Sequence, residues 1–277
     1  MKRLTSALLL ATLAFGLAGQ AQTASLRLYV FENGAITGLD IGLFNFKPGE
    51  IKEPNFVNVS YLIVHPRGTL QFDAGGIPDS HFKKDGETIT EGVLSATRPL
   101  RPQMAAAGYR PETITWFAMS HYHSDHTANA NDFAGATWIV QKAERDYMFQ
   151  EKPTGIIQPT HYDRLKGART RILDNEDFDV FGDGTVVVKT APGHTPGHQV
   201  LFVRLPKTGP VVLAGDLYHY PEELTTGRVP GFEFNADQST ASRAKLAEFM
   251  KQTSAKLWIE HDIATHAKLP RPPAFVE

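Results

Sequence analysis

Three histidines and one aspartate fall within six positions of the stretch "AMSHYHSDHTAN": His121, His123, Asp125 and His126. Imidazole and carboxylate are ligands for zinc and similar divalent ions, and a catalytic site of that kind keeps a position open for water. The stretch follows the apolar run Ile114–Ser120, so it lies where a buried strand surfaces. His121 and His123 are two apart and point the same way in an extended chain. Asp125 and His126 follow on a turn or first helical residues and are aimed differently. One short segment can therefore serve two ions side by side.

A metal site needs more ligands, and three further candidates stand at strand ends. His194 lies in the Gly- and Pro-rich turn "TAPGHTPGHQ", Asp216 ends "VVLAGD", and His261 follows "KLWIE". His121, His123 and His194 make a three-imidazole site; Asp125, His126 and His261 make a second. Asp216 has two oxygens and can bridge both. Two divalent ions roughly 3.5–4 Å apart share a hydroxide, lower its pKa and polarise a carbonyl or phosphoryl oxygen. The chain has no cysteine, which removes thiolate ligands and a thiol nucleophile.

The other histidines carry no such pattern. His65, His81, His161 and His266 read as ordinary surface or core residues. His198 shares the turn of His194 and reads as structural. Gly193 and Gly197 permit a tight turn there.

The elements that must position these groups are mostly strands. Leu26–Phe31, a hairpin of Val59–His65 and Thr69–Asp73, Ile114–Ser120, Thr137–Gln141, Thr185–Thr190, Gln199–Leu205, Val211–Asp216 and Lys256–Glu260 show β-branched and aromatic enrichment. Helices are expected over Lys142–Gln150 and over Ser239–Gln252. The second has Ser239 or Thr240 as N-cap and Leu246, Phe249 and Met250 on one stripe. A third covers part of Gly92–Ala107, broken by Pro99 and Pro102. The apolar stretch 39–46, "LDIGLFNF", is assigned to the core rather than to a substrate-facing loop. Segments 74–98 and 151–178 read as long loops, which are commonly functional or mobile. Strands and helices recur in both halves. One domain over residues 22–277, with two sheets inside and helices outside, fits that order.

The net charge of −2, from 28 basic and 30 acidic side chains, gives no electrostatic case for nucleic acid, and there is no basic stripe. Lys2 and Arg3 precede an apolar run from Ala7 to Ala18, which closes on Gly19, Gln20 and Ala21. That is the order of a secretory signal, so residues 1–21 are expected to be removed and the protein exported, to the periplasm or beyond. The run is short of the about 20 residues a membrane span needs, so no stable membrane anchor is expected.

"HYHSDH" resembles the HxHxDH signature of the metallo-β-lactamase superfamily. His194, Asp216 and His261 fall in the order and approximate spacing of that family's remaining ligands. The resemblance covers nearly the whole chain after residue 21. It implies an α+β fold, the αββα four-layer sandwich, holding two divalent ions, expected to be Zn2+. "FDAG" (Phe72–Gly75) is similar to a family segment whose aspartate, here Asp73, lies close behind the site. Within the family a bridging Asp216 points away from the true β-lactamases and toward thioesterases, phosphodiesterases and N-acyl homoserine lactonases. "TAPGHTPGHQVLF", "VPGFEFNADQSTASRAKL" and "IEHDIATH" look most like the lactonases.

That branch implies a quorum-quenching lactonase. A hydroxide between the ions attacks the ester carbonyl of an acyl lactone, and Asp125 carries the proton to the leaving oxygen. Such lactonases have a tyrosine three residues after the bridging aspartate. "GDLYHY" has His219 there, flanked by Tyr218 and Tyr220, so His219 or Tyr220 is expected to take over that work. Ser124 lies in the mouth of the site and bears on substrate choice. A homodimer is compatible with the resemblance. Two other outcomes stay open: a hydrolase of the same fold acting on a thioester, β-lactam or phosphodiester, and a metal-binding protein without catalysis.

Overall fold

Alternation along the strands builds the layers. In strand β1 (Arg27–Ile36), Leu28 and Val30 enter one apolar cluster while Tyr29 and Phe31 enter another on the opposite face. The computed structural model describes residues 25–84 and 86–277. The expected secretory segment, residues 1–21, lies outside the described residues.

β1 joins β2 (Phe56–His65), β3 (Gly68–Phe72), β4 (Ile89–Glu91), β5 (Leu94–Ala96), β6 (Trp116–Ala118), β7 (Thr137–Gln141) and β8 (Thr170–Leu173) in an eight-stranded sheet of order β4-β5-β1-β2-β3-β6-β7-β8. A five-stranded sheet of order β13-β12-β11-β10-β9 holds β9 (Phe178–Asp179), β10 (Val186–Thr190), β11 (Gln199–Leu205), β12 (Gly209–Leu213) and β13 (Lys256–Trp258). The sheets face each other across Leu28, Val59, Ile63, Phe72, Val188, Leu201, Val211 and Leu213. Outside the large sheet pack α1 (Leu100–Ala106) and, beyond the short α2 (Ser124–Thr127), α3 (Lys142–Met148); Met104 and Met148 meet Phe117 and Trp138 there. After α4 (Glu223–Thr226), α5 (Ala236–Thr253) covers the small sheet with Leu246, Phe249 and Met250 against Val200, Phe202 and Val212; the short α6 (Ile263–His266) follows β13. This is the αββα sandwich.

Strand direction gathers the loops. β10 and β12 both run antiparallel to β11, and β13 is parallel to β12, so their C-terminal ends share one edge. β3, β6, β7 and β8 are parallel, so β6 likewise ends beside β3. The loops after β6, β10, β12 and β13 carry every candidate ligand.

Four local expectations need correction. α5 begins at Ala236, with Asn235 as N-cap accepting from the Gln238 N–H, three residues before Ser239. Asn caps as well as Ser, and Asp237 in the first turn suits the helix dipole. α1 is not broken: Pro99 caps it and Pro102 sits in its first turn, where an N–H has no intrahelical partner. Segments 74–98 and 151–178 contain β4, β5 and β8. Residues 39–46 are not a core strand; Ile41–Phe44 form a 3-10 turn capped by Asp40. Phe44 and Phe46 pack on Phe56 and Tyr220, while Leu39, Leu43 and Phe44 line a cavity.

Candidate metal centre

The seven predicted ligands converge at the shared edge in two groups. One is His121, His123, His194 and Asp216; the other is Asp125, His126, Asp216 and His261. In each group, ligand-type atoms lie within 4.8 Å of one another. Asp216 belongs to both because its oxygens diverge. Oδ2 lies 3.7 Å from His121 Nε2 and 3.6 Å from His194 Nε2. Oδ1 lies 3.2 Å from His126 Nε2 and 3.1 Å from His261 Nε2. Asp125 Oδ2 completes the second group, 3.4 Å from His126 Nε2 and 3.7 Å from His261 Nε2.

Partners behind the rings set which nitrogen faces the centre. His261 Nδ1 donates to Val57 O at 2.9 Å, and His194 Nδ1 faces Glu233 Oε1 at 3.2 Å. Ser120 Oγ lies 3.0 Å from His121 Nδ1, and Ser120 is itself held by Asp73 Oδ1 through its N–H at 2.6 Å. Each arrangement leaves Nε2 turned inward, as outer hydrogen bonds do for metal-bound histidines. His198 Nε2 accepts the Asp216 N–H at 3.1 Å, a structural role.

The donor set fits divalent ions. His121 Nε2, His126 Nε2 and Asp216 Oδ1 are buried with no hydrogen-bond partner, which buried polar atoms rarely tolerate. Burial pushes His123 and His194 down to about 3, so their rings are neutral, the form that ligates. Burial acts against charge on His261 too, yet Asp216 and Asp125 lift it to about 9. The carboxylates of the second group therefore demand a cation.

A cavity of about 590 Å³ opens above the centre. His123, Asp125, Asp216, His219 and His261 reach it from below; Leu39, Leu43, Phe44, Val93, Ile156 and Phe232 wall it, and Ser124 stands at its side. His219 is buried with Nε2 3.2 Å from Asp216 Oδ2. Tyr220 does not reach the site. Its hydroxyl donates to Pro54 O at 3.0 Å and its ring packs among Phe44, Phe46 and Phe56, because the chain turns successive side chains apart. The expectation that Tyr220 works on substrate is withdrawn. His65, His81, His161 and His266 belong to none of the metal-type groups among the described residues.

Residues 54–264 match the metallo-beta-lactamase superfamily. The chain belongs to that superfamily. It is 29% identical over 269 residues to the N-acyl homoserine lactonase AttM of Azorhizobium caulinodans, covering 91% of this chain and 99% of that one. It is 26% identical to the N-acyl homoserine lactonase AiiA of Bacillus thuringiensis subsp. kurstaki, covering 73% and 80%. A solved quorum-quenching N-acyl homoserine lactone hydrolase superposes with TM-score 0.74 at 23% identity, covering 92% of this chain and 100% of that one. The dizinc quorum-quenching lactonase AidC superposes with TM-score 0.61 at 18% identity, covering 87% and 88%.

In this metallo-beta-lactamase superfamily chain the ligand loops rest on buried acids that the sequence pattern did not single out. Glu144 of α3 accepts from Tyr122, Thr195 and Gly197; burial, against those three hydrogen bonds, pushes its carboxyl up to about 7. Glu260 places Oε1 3.3 Å from His126 Nδ1. Glu223 lies behind His219, and Glu233 behind His194. One signal was available: Glu144 sits on the inward face of a short predicted helix, where a solvated charge does not belong.

Proposed function

We propose that this chain is a lactonase that opens N-acyl homoserine lactones, with one zinc ion in each ligand group. The carrying observation is Asp216, one oxygen to each group, on the floor of an apolar-walled cavity. Two curated relatives that align along most of this chain are named N-acyl homoserine lactonases. Bound divalent ions supply an activated water and Lewis acidity for the ester carbonyl.

The chain's own residues do the rest. Leu39, Leu43, Phe44 and Phe232 offer an acyl chain apolar surface. Asp125 alone among the seven ligands is only half-buried. Its carboxylate lies where it can hold a proton and pass it to the departing ring oxygen. The product stays one molecule, an acyl homoserine.

A lactone chain-length series beside a chromogenic β-lactam, with acid release followed by pH indicator, tests this. Lactone turnover is expected, with kcat/KM rising by up to about fourfold per added methylene until the cavity fills, from about 0.8 kcal/mol per buried CH2. Turnover of the β-lactam without the lactones would sink the proposal. Elemental analysis is expected to give two zinc equivalents. We propose export as well; fractionation of the native host that finds full-length chain only inside the cytoplasm would refute it.

A further inference from the structure

A second cavity, of about 370 Å³, opens where β1, β5 and α6 meet. None of the seven metal-centre residues lines it. Phe56 alone lines both cavities and is the partition between them; its ring stacks on His261 with centroids 4.6 Å apart. The floor of the second cavity is apolar. Phe56, Val57 and Ala96 are buried in it, Ile263 is half-buried, and Ala267 is exposed at its open side.

Charge is confined to the rim. Among the described residues that line the cavity, only Glu32, Arg98 and Arg271 are charged, two guanidiniums against one carboxylate. Arg271 is satisfied. Its Nε and Nη2 donate to Glu32 Oε2 at 3.3 and 3.2 Å, and its Nη1 donates to Leu269 O at 3.1 Å. Arg98 is not satisfied by that carboxylate. Its Nη1 stands 3.9 Å from the same Oε2, past hydrogen-bond reach. One oxygen thus faces two guanidiniums and bonds only one.

The rim is also held in place. Gln103 of α1 accepts from the Glu32 N–H at 3.0 Å and donates to Glu32 O at 2.9 Å and to Arg98 O at 3.1 Å. The backbones that carry the carboxylate and the second guanidinium are therefore tied to one side chain.

These features select a ligand by its chemistry. A guanidinium fork meets a carboxylate through two parallel hydrogen bonds. A net rim charge of +1 suits a singly charged head, and the apolar floor suits an aliphatic body. The volume falls within the range of about 300–1,000 Å³ usual for small-molecule cavities.

We propose that this cavity is a second ligand site, separate from the metal centre. It takes a monocarboxylate with a short aliphatic tail, the head on Arg98 and the tail over Val57, Ala96 and Ile263. Glu32 competes with that head for the guanidiniums. A free fatty acid and an acyl homoserine share this chemistry, and the site does not depend on the lactonase reading.

Calorimetric titration of the zinc-loaded full-length chain tests it, with octanoate, hexanoyl homoserine, acetate and octanol as probes. A carboxylate can also sit on the ions, so three variants that leave the metal centre intact are titrated beside the wild type: Arg98→Ala, Ala267→Phe and Glu32→Gln. Circular dichroism selects those that fold. Octanoate is expected to bind at least about tenfold more tightly than acetate, which lacks the tail, and than octanol, which lacks the charge. Arg98→Ala is expected to weaken octanoate binding about tenfold. Ala267→Phe, which fills the cavity from its open side, is expected to abolish this binding and leave only what the ions hold. Glu32→Gln removes the competing carboxylate and is expected to tighten binding, a gain that a merely structural role would not give. Hexanoyl homoserine binding above octanoate assigns the site to the product; the reverse order assigns it to fatty acids, and either sustains it. Octanoate binding that is the same in the wild type and in folded Arg98→Ala and Ala267→Phe overturns the proposal, as does octanol binding as tightly as octanoate. Arg98-dependent binding without lactone turnover sustains the site while the lactonase reading fails.

Discussion

Glu144 Oε1 accepts the backbone N–H of Tyr122 at 2.8 Å, from the residue between His121 and His123. Its Oε2 accepts Thr195 Oγ and the Gly197 N–H, both at 2.8 Å, from the loop after His194. One buried carboxylate of α3 thus fastens both segments that carry the three histidines of the first ligand group. The approach is close enough to require glycine: a Cβ on residue 197 would lie 2.6 Å from Glu144 N and 2.7 Å from Glu144 Cβ.

Glu144→Gln is expected to release one of the two loops. An amide keeps one acceptor oxygen and sets an NH2 against donors. Ion affinity is expected to fall about 10–100-fold, the usual effect of losing an outer partner of a ligand. Stability is expected to drop by about 1–3 kcal/mol from the unsatisfied buried groups. Chelator competition and urea unfolding measure the two effects. Because the defect lies in ion holding, excess zinc should restore much of the activity. Unaltered affinity would show that the loops hold without the clamp.

Tyr220→Phe is expected to leave lactone kcat/KM unchanged. The lost hydroxyl donates to Pro54 O, away from the cavity, and its removal costs about 1 kcal/mol of stability. Kinetics and a melting curve on the same preparation check both halves. A large loss of kcat with intact stability would return Tyr220 to the reaction.

The sequence made the His and Asp clusters legible because coordination restricts residue type. Only a few side chains bind divalent ions, and strand ends are where a sandwich can present them together. Strands β7 and β11 have the residue limits that alternation and β-branching indicate. The supporting acids were hidden by distance and by type. Glu144 lies 22 residues from the Tyr122 N–H that it holds and reads in sequence as one more charge on a short helix. Glu223 and Arg243 are 20 residues apart and acquire meaning only once His219 is known to be buried. The stretch 39–46 failed for another reason. Its apolar residues divide between a small core and the cavity wall, and composition cannot tell a wall from a core.

His266 gives the chain an acid limb. Its Nε2 lies 3.1 Å from Ile259 O and 3.2 Å from Tyr61 OH, and its buried Nδ1 has no partner. Burial, which disfavours a charge there, pushes its pKa down to about 4. Below the unfolded value near 6.5, the unfolded chain binds a proton that the folded chain refuses. The contribution is therefore complete above pH 6.5 and is lost as pH falls toward 4, by on the order of 3 kcal/mol. Urea unfolding of chelator-treated protein at pH 7.5, 5.5 and 4.5 measures it. The gap between wild type and His266→Gln should narrow as pH falls. A gap constant across the series would remove His266 as its source.

Asp73 and Glu260 compete for one hydrogen. Asp73 Oδ2 and Glu260 Oε1 lie 3.4 and 3.3 Å from His126 Nδ1, which carries at most one proton. Asp73 is the better anchored: its Oδ1 accepts the Ser120 N–H at 2.6 Å and Ser120 Oγ at 3.2 Å. Neither oxygen of Glu260 has a hydrogen-bond partner, and burial with the nearby Asp73 charge pushes its pKa up to about 8. Asp73 thus holds Ser120, whose Oγ lies 3.3 Å from His126 Nδ1 as well as 3.0 Å from His121 Nδ1, so it steadies both rings, and Glu260 is the spare acid. Asp73→Asn is expected to lower ion affinity at least about tenfold. Glu260→Gln replaces a carboxyl that burial already holds largely protonated at neutral pH with a neutral group of the same shape, and is expected to keep both ions and to melt no lower than the wild type. Elemental analysis after graded chelator treatment ranks the two variants. If Glu260→Gln lost its metal first, the assignment would be reversed, and His126 would be aimed from the β13 side of the site.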